Sequence, residues 1–275
     1  MSIKILFLGD VIGRAGREAV IAALPQLKAD YKIDVTIVNV ENSAHGFGVT
    51  PQIAEDFLKA GVDCMTTGNH VWDQREILPY IEREGRLLRP ANFPAGAPGK
   101  GVFVLETPRR HKIVIANIMA RLFMDALDDP FAAADKICQQ YRLGQDVQGI
   151  FIDFHGEASS EKTALAKYLD GRVSCVVGTH THTPTADARI FPQGTAFQTD
   201  AGMCGCYDSV IGMDADLAVG RFVRKIPGER LRPAEGAVTI CGHVLEVDEK
   251  TGKALSIWPL RQGGSLSEQR PPKAV

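Results

Sequence analysis

The chain has 275 residues, enough for one large domain or two small ones, and for a core that needs no disulfide or metal staple to fold. Hydrophobic residues make up 45% and charged residues 23%, which excludes a disordered or collagen-like chain. Lys and Arg number 31 against 33 Asp and Glu, so no net field draws the chain to nucleic acid or to an anionic membrane, and the 7% aromatic content disfavours a stacked-ring platform for single strands.

The sequence enters a strand-like run at Ile3 without a signal-peptide pattern, and its longest apolar stretches, such as Ile113–Ala116, are strand-length. A cytoplasmic location is expected, with Cys64, Cys138, Cys175, Cys204, Cys206 and Cys241 as reduced thiols. Cys204-Gly205-Cys206 lacks the C-x-x-C spacing of a zinc or redox pair.

In chain order, Ile3–Leu8 reads as a strand buried on both faces, Gly9–Gly16 as a loop and Arg17–Tyr31 as a helix. Val35–Val40 is the next strand, and Thr50-Pro51 opens a helix ending near Gly61. Cys64–Thr67 is a strand and Gln74–Glu84 a helix, which completes a β-α-β-α-β-α order and implies a parallel core. A Pro/Gly-rich loop over Pro94–Gly101 leads to Val102–Glu106 and Lys112–Ile118, an antiparallel pair. Helix Phe131–Leu143, strand Gly149–Phe154, helix Ser159–Leu169 (capped by Ser159 or Ser160) and strand Val173–Val177 follow. Hairpins then join Ala186–Ile190 to Thr195–Thr199 and Val238–Val247 to Ala254–Leu260. The expected class is α/β: a four-layer α/β/β/α sandwich of two mixed β-sheets flanked by helices, one domain over 1–275, with a frayed polar tail from about residue 263.

Metal-competent side chains cluster where strands end. Asp10, Glu41 with Asn42, Asn69 with His70, His155 within Asp153-Phe154-His155-Gly156-Glu157, and His180 with His182 each follow or close a predicted strand. Ligands of open α/β sheets bind beyond the carboxyl ends of the strands. Taken singly these residues are ordinary: a strand-end Asp is usually a cap, a lone Asn a turn residue, a lone His a packed one. His180-Thr181-His182 is stronger, because alternate residues of an extended segment point the same way. Five such segments together suggest one site. Imidazole, carboxylate and carboxamide without thiolate suit Mn, Fe or Zn. Seven candidates exceed one tetrahedral ion and suit two, about 3.5–4 Å apart. His111 and His243 read as surface or strand residues.

On these motifs the sequence resembles the calcineurin-like metallophosphoesterases. Gly68-Asn69-His70 matches their G-N-H block, Gly178-Thr179-His180-Thr181-His182 their final G-H-x-H with one residue inserted, and Gly9-Asp10 carries their first Asp. Ile12 replaces the His expected after Asp10, and Glu41-Asn42 replaces the second-block Asp. With these departures the chain looks like the YmdB-type branch of cyclic-nucleotide phosphodiesterases, from Ile3 to about Gly212 and more loosely to the last hairpin. His45 stands where a small residue is expected.

The resemblance implies two divalent or mixed-valence transition-metal ions, Fe or Mn first and Zn third. Asp10, Glu41, Asn42 and His182 would hold one ion; Glu41, Asn69, His155 and His180 would hold the other, with Glu41 bridging. A metal-bridging hydroxide would attack a phosphodiester, and His70 would act as general acid, with Asp73 either orienting it or capping a helix. The expected partner is a small phosphodiester, of 2′,3′- or 3′,5′-cyclic type, with self-association of the chain, no stable nucleic-acid complex and no membrane. Three other readings compete. A Rossmann module would use Gly9, Gly13, Gly16 and Glu41, but the glycine spacing is wrong and Asn69, His155, His180 and His182 stay idle. The others are a non-catalytic metal- or nucleotide-binding regulator and a single-metal amidohydrolase-like enzyme.

Overall fold

Ile3, Ile5 and Phe7 project to one side of the first strand, Leu6 and Leu8 to the other, and both sides are buried. A strand apolar on both faces has to lie between two layers. The computed structural model, which describes residues 2–226 and 228–273, has that arrangement. Its elements begin β1 (Ser2–Leu8), β2 (Asp10–Val11), α1 (Gly13–Tyr31), β3 (Val35–Asn39), α2 (Pro51–Lys59) and β4 (Cys64–Thr66). A 3₁₀ turn (Arg75–Ile77), α3 (Leu78–Ile81), β5 (Val102–Glu106), β6 (Lys112–Met119), α4 (Pro130–Gln140), β7 (Gly149–His155), α5 (Ser159–Tyr168) and β8 (Cys175–Thr179) follow. The remainder is β9 (Arg189–Ile190), β10 (Ala196–Gln198), β11 (Met203–Cys206), α6 (Ala215–Arg224), β12 (Val238–Asp248) and β13 (Ala254–Gln262).

One sheet runs β2-β11-β12-β1-β3-β4, with β13 also on β12; the other runs β5-β6-β7-β8-β10-β9. In the first, β1, β3 and β4 are parallel and β12 is antiparallel to β1. In the second, β6, β7, β8 and β10 are parallel, and β5 and β9 are antiparallel edges. Ile5, Phe7 and Ile37 face Ile115, Phe151 and Val177 between the sheets. Leu8 and Val38 pack outward on Val20 and Leu24 of α1 and Phe57 of α2. Val114, Ile152 and Val176 pack outward on Ala134 of α4 and Leu165 of α5. These three apolar layers are the expected α/β/β/α sandwich.

Several local expectations are corrected. Helix α1 starts at Gly13, within the expected loop, because Gly16 lets its first turn press on β11: a Cβ there would lie 2.3 Å from the Cys204 carbonyl oxygen. The helix expected over Gln74–Glu84 is broken, since Pro79 has no N–H to bond the Arg75 carbonyl and the α-helix starts afresh at Leu78. Helix α4 runs Pro130–Gln140, with Asp129 accepting from the Phe131 N–H at 2.8 Å. Neither Ser159 nor Ser160 caps α5; both lie inside it, and Ala158 holds the cap position without a side-chain bond. Cys204 and Cys206 lie on β11. Helix α6 was not foreseen; Val219, Phe222 and Val223 recur in it at helical spacing but lie exposed, and only Ala218 is buried. The tail does not fray as far as it is described. Gln269 and Arg261 exchange backbone bonds of 2.7 and 3.0 Å, and Lys273 pairs with Asp30 at 3.0 Å; residues 274 and 275 lie outside the described residues. All six cysteines are free.

His243 on β12 is fully buried between the Phe7 and Phe151 rings, with neither ring nitrogen hydrogen-bonded. Burial pushes its pKa down to about 3, against ~6.5 in an unfolded chain. Its contribution is intact above pH ~6.5 and is lost as pH falls toward 3, because only the unfolded chain then binds the proton. His243→Leu should keep or raise stability at pH 7, and should lose ~2 kcal/mol less than the wild type between pH 7 and pH 5 in denaturant melts. Equal losses would contradict a neutral buried ring.

Candidate metal centre

The parallel strands of both sheets end at one rim, and Asp153 of β7 ties the two sheets together there. It accepts from Asn39 Nδ2 of β3 at 3.0 Å, from Thr179 Oγ1 of β8 at 2.6 Å, and from Thr66 Oγ1 of β4. The Thr179 hydroxyl proton is thereby used. Thr179 Oγ1 must accept the Nδ1–H of His155, 2.9 Å away. The other nitrogen, His155 Nε2, then faces Asn69 Oδ1 at 2.9 Å, His180 Nδ1 at 3.1 Å and Glu41 Oε1 at 3.2 Å. Donor atoms around one ion at ~2.0–2.2 Å stand roughly 3 Å apart, so these four atoms have the spacing of ligands.

A second group shares Glu41. Ligand atoms of Asp10, Glu41 and His182 lie within 4.8 Å of one another, as do those of Glu41, His155 and His180. His182 Nδ1 lies 2.7 Å from the Ile211 carbonyl, which can only accept, so Nδ1 is the donor and Nε2 keeps its lone pair. Asp10 Oδ2 accepts the His180 N–H at 3.1 Å. Asn42 Nδ2 donates to Gly46 O at 2.9 Å. Asp10 Oδ1, Glu41 Oε1 and Asn42 Oδ1 are buried with no hydrogen-bond partner. Buried orphan acceptors are costly, and three of them beside lone-pair nitrogens fit divalent cations. The structure thus gathers all seven sequence candidates, Asp10, Glu41, Asn42, Asn69, His155, His180 and His182, around this rim.

The charges agree with this fit. Burial pushes the Asp10 carboxyl well above the usual range. Burial also opposes charge on Glu41, but the neighbouring His155 outweighs it and holds that carboxyl at about 2. His155 is itself held up at about 9 by Glu41, Asp10 and Asp153, against the effect of its burial. Burial and then the His155 charge push His180 down to about 3, and burial lowers His182. The cluster therefore calls for positive charge at His155 Nε2, between neutral imidazoles and two carboxyl groups.

His70 stands beside the donors. Its N–H donates to Glu41 Oε2 at 3.3 Å, and its Nδ1 donates to Asp73 Oδ2 at 2.8 Å. Of the two roles expected for Asp73, the geometry has the orienting one; the 3₁₀ turn is capped at Gln74 without a side-chain bond. His45 is exposed at φ 54° and forms no part of the cleft.

Other supports were not singled out in the sequence. Lys162, fully buried, donates to the Thr179 carbonyl at 2.8 Å and to Asp200 Oδ2 at 2.9 Å; Asp200 also accepts the Thr181 N–H at 3.1 Å. This ion pair grips both sides of His180, whose φ is 99°, a conformation that L residues rarely adopt. Tyr207 donates to the His182 carbonyl at 2.9 Å. Glu157 lies 3.4 Å from His180 Nε2. Their partners are remote in sequence, so no local pattern announces them; only Asp153 and Glu157 sit within a motif already noted.

A family model described as YmdB-like protein matches residues 6–260. The 2′,3′-cyclic-nucleotide 2′-phosphodiesterase of Bacillus subtilis (strain 168) is 47% identical over 254 residues, 92% of this chain and 95% of that protein. Two solved structures superpose with TM-scores of 0.87. One is a hypothetical protein from Thermus thermophilus, 39% identical, covering 96% of this chain and 100% of that one. The other is a novel phosphatase from Mycoplasma pneumoniae, 35% identical, covering 98% and 95%. Fold and site together define a metallophosphoesterase, a hydrolase of phosphate esters. Within that class the chain belongs to the YmdB-like family.

Gly68 makes room for the donors: a Cβ there would lie 2.3 Å from both Glu41 Oε2 and His155 Nε2. Gly68→Ala should remain folded by circular dichroism and weaken metal binding ~10–100-fold in a chelator competition. Unchanged affinity would mean that these atoms do not surround an ion.

Proposed function

We propose that the chain is a dinuclear phosphodiesterase that opens 2′,3′-cyclic nucleotides. Glu41, shared by the two donor groups, carries this reading. The name of the B. subtilis relative favours the 2′,3′- over the 3′,5′-cyclic substrate. The donors, with no thiolate among them, suit Fe, Mn or Zn, and the resemblance puts Fe or Mn first. Two divalent ions bound there would supply an activated water and positive charge for the phosphoryl oxygens near neutral pH.

The chain's own residues supply the rest. Glu41, with Asp10, provides the anionic charge that holds a pair of dications. Asp73 takes the His70 Nδ1–H and fixes the ring, so that the imidazolium gives its second proton, on Nε2, to the ribose oxygen as its bond to phosphorus breaks and is left as the neutral Nδ1–H ring. Thr179 and the Ile211 carbonyl fix the tautomers of His155 and His182. The six free thiols suit a reducing compartment, the basis for a cytoplasmic placement. Helix α6 exposes Val219, Phe222 and Val223 at helical spacing, with Ile226 exposed just beyond its end, a surface suited to the proposed self-association. A purely regulatory metal site would leave His70, aimed by Asp73 into the cleft wall, without a task.

An alkoxide leaves poorly without a proton, whereas p-nitrophenolate does not need one. With metal saturating, His70→Ala should lower kcat for 2′,3′-cyclic AMP by ~10²–10⁴-fold, lower that for a p-nitrophenyl diester far less, and keep its metal. His180→Ala should impair both substrates together. Equal slowing of the two substrates by His70→Ala would remove the general-acid role.

A further inference from the structure

Facing the metal donors, the cleft has an apolar side that the proposed chemistry does not use: Phe47, Ile211, Met213 and Leu231. None of the four is packed into the three apolar layers of the sandwich. The cleft holds about 350 Å³, within the range of small-molecule sites, roughly 300–1,000 Å³.

Phe47 is the fixed point of this wall. It sits between Gly46 at φ 88° and Gly48 at φ 77°. Its N–H donates to Ala44 O at 3.0 Å, the Ala44 N–H donates to Gly48 O at 2.9 Å, and its own carbonyl accepts from Gln74 Nε2 at 2.7 Å. Both positive φ values disfavour side chains at the flanking positions, and a Cβ on Gly48 would press the His70 carbonyl oxygen at 3.1 Å. The loop thus holds a half-buried ring rigidly, 5.2 Å from His70 and at 75° to it. The Arg230 guanidinium stands 5.7 Å from the Phe47 ring centre. A partly exposed aromatic fixed in this way, outside any core, is an arrangement for a planar ligand.

We infer that Phe47, with Met213 and Leu231, seats the nucleobase of the substrate, and that Arg230 beside it favours bases rich in acceptors. The inference rests on the phosphodiesterase reading above. His70 protonates an oxygen of the ribose, and the base is attached to that same ring, so it must lie close to His70 and away from the metal donors. The apolar wall occupies that place. A planar stack grips purines and pyrimidines alike, because every base has a π-face. Arg230 offers donors only, and so matches carbonyl and ring-nitrogen acceptors.

The test compares 2′,3′-cyclic AMP with the 2′,3′-cyclic phosphate of 1-O-methylribose, which has the same diester and no base. The wild type should show kcat/KM at least ~10-fold higher for the nucleotide, mainly through KM. Phe47→Ala should bring the ratio close to one, and Phe47→Trp should restore it. Phe47→Leu, which keeps the bulk and lacks the π-face, should behave like Phe47→Ala and serves if the smaller residue disturbs the loop. Equal wild-type rates on the two substrates would overturn the base seat alone. So would a Phe47→Ala that slows both by one factor, since the ring would then merely support His70. If the wild type hydrolyses neither, the phosphodiesterase reading fails. The seat is then decided by calorimetry with 3′-AMP, which the wild type must bind at least ~10-fold more tightly than Phe47→Ala.

Discussion

The structure depends on a buried group of acceptor atoms with too few protons to share among them. Thr179 takes the Nδ1–H of His155, and Ile211 takes that of His182. The free nitrogens therefore meet carboxylate and carboxamide oxygens, three of which accept no hydrogen bond. Unpaired buried acceptors of this kind cost several kcal/mol together. Cations at the shared Glu41 would relieve that cost, and the same cations would make the rim reactive toward a phosphate ester. Stability at this rim and chemistry there are thus one electrostatic requirement.

Much of the remaining scaffold serves to hold that group in place. Asp153 fixes the ends of β3, β4, β7 and β8 against each other across the two sheets. The buried Lys162–Asp200 pair holds the backbone on either side of His180 in a conformation that histidine would not adopt unaided. Tyr207 holds the His182 carbonyl from behind. A buried ion pair contributes little to stability for its own sake. Placed under a strained ligand segment it defines a geometry, which is what a metal site needs from its surroundings.

The sandwich was legible because its central strands are apolar on both faces. Ile5 and Phe7 against Leu6 and Leu8, and Ile113 and Ile115 against Val114 and Ala116, show two apolar faces. The gathering of these seven residues at one rim was legible because each lies within a few residues of the carboxyl end of a parallel strand. Helix α6 was missed although Val219, Phe222 and Val223 stand at helical spacing, because it is one short helix among strands. The glycines before α1 read as a loop, whereas Gly16 is there for the approach of β11. Lys162, Asp200 and Tyr207 act through partners distant in sequence, and Phe47 between two glycines resembles an ordinary turn. His243 was read without its burial, since strand position alone does not say which face looks into the core.

The central claim is that Glu41 joins two ions. Crystals of metal-loaded protein measured at the Mn or Fe absorption edge test it most directly. The account predicts two anomalous peaks per chain ~3.5–4 Å apart, with the Glu41 carboxylate between them. One peak, or two with Glu41 touching only one, would contradict it.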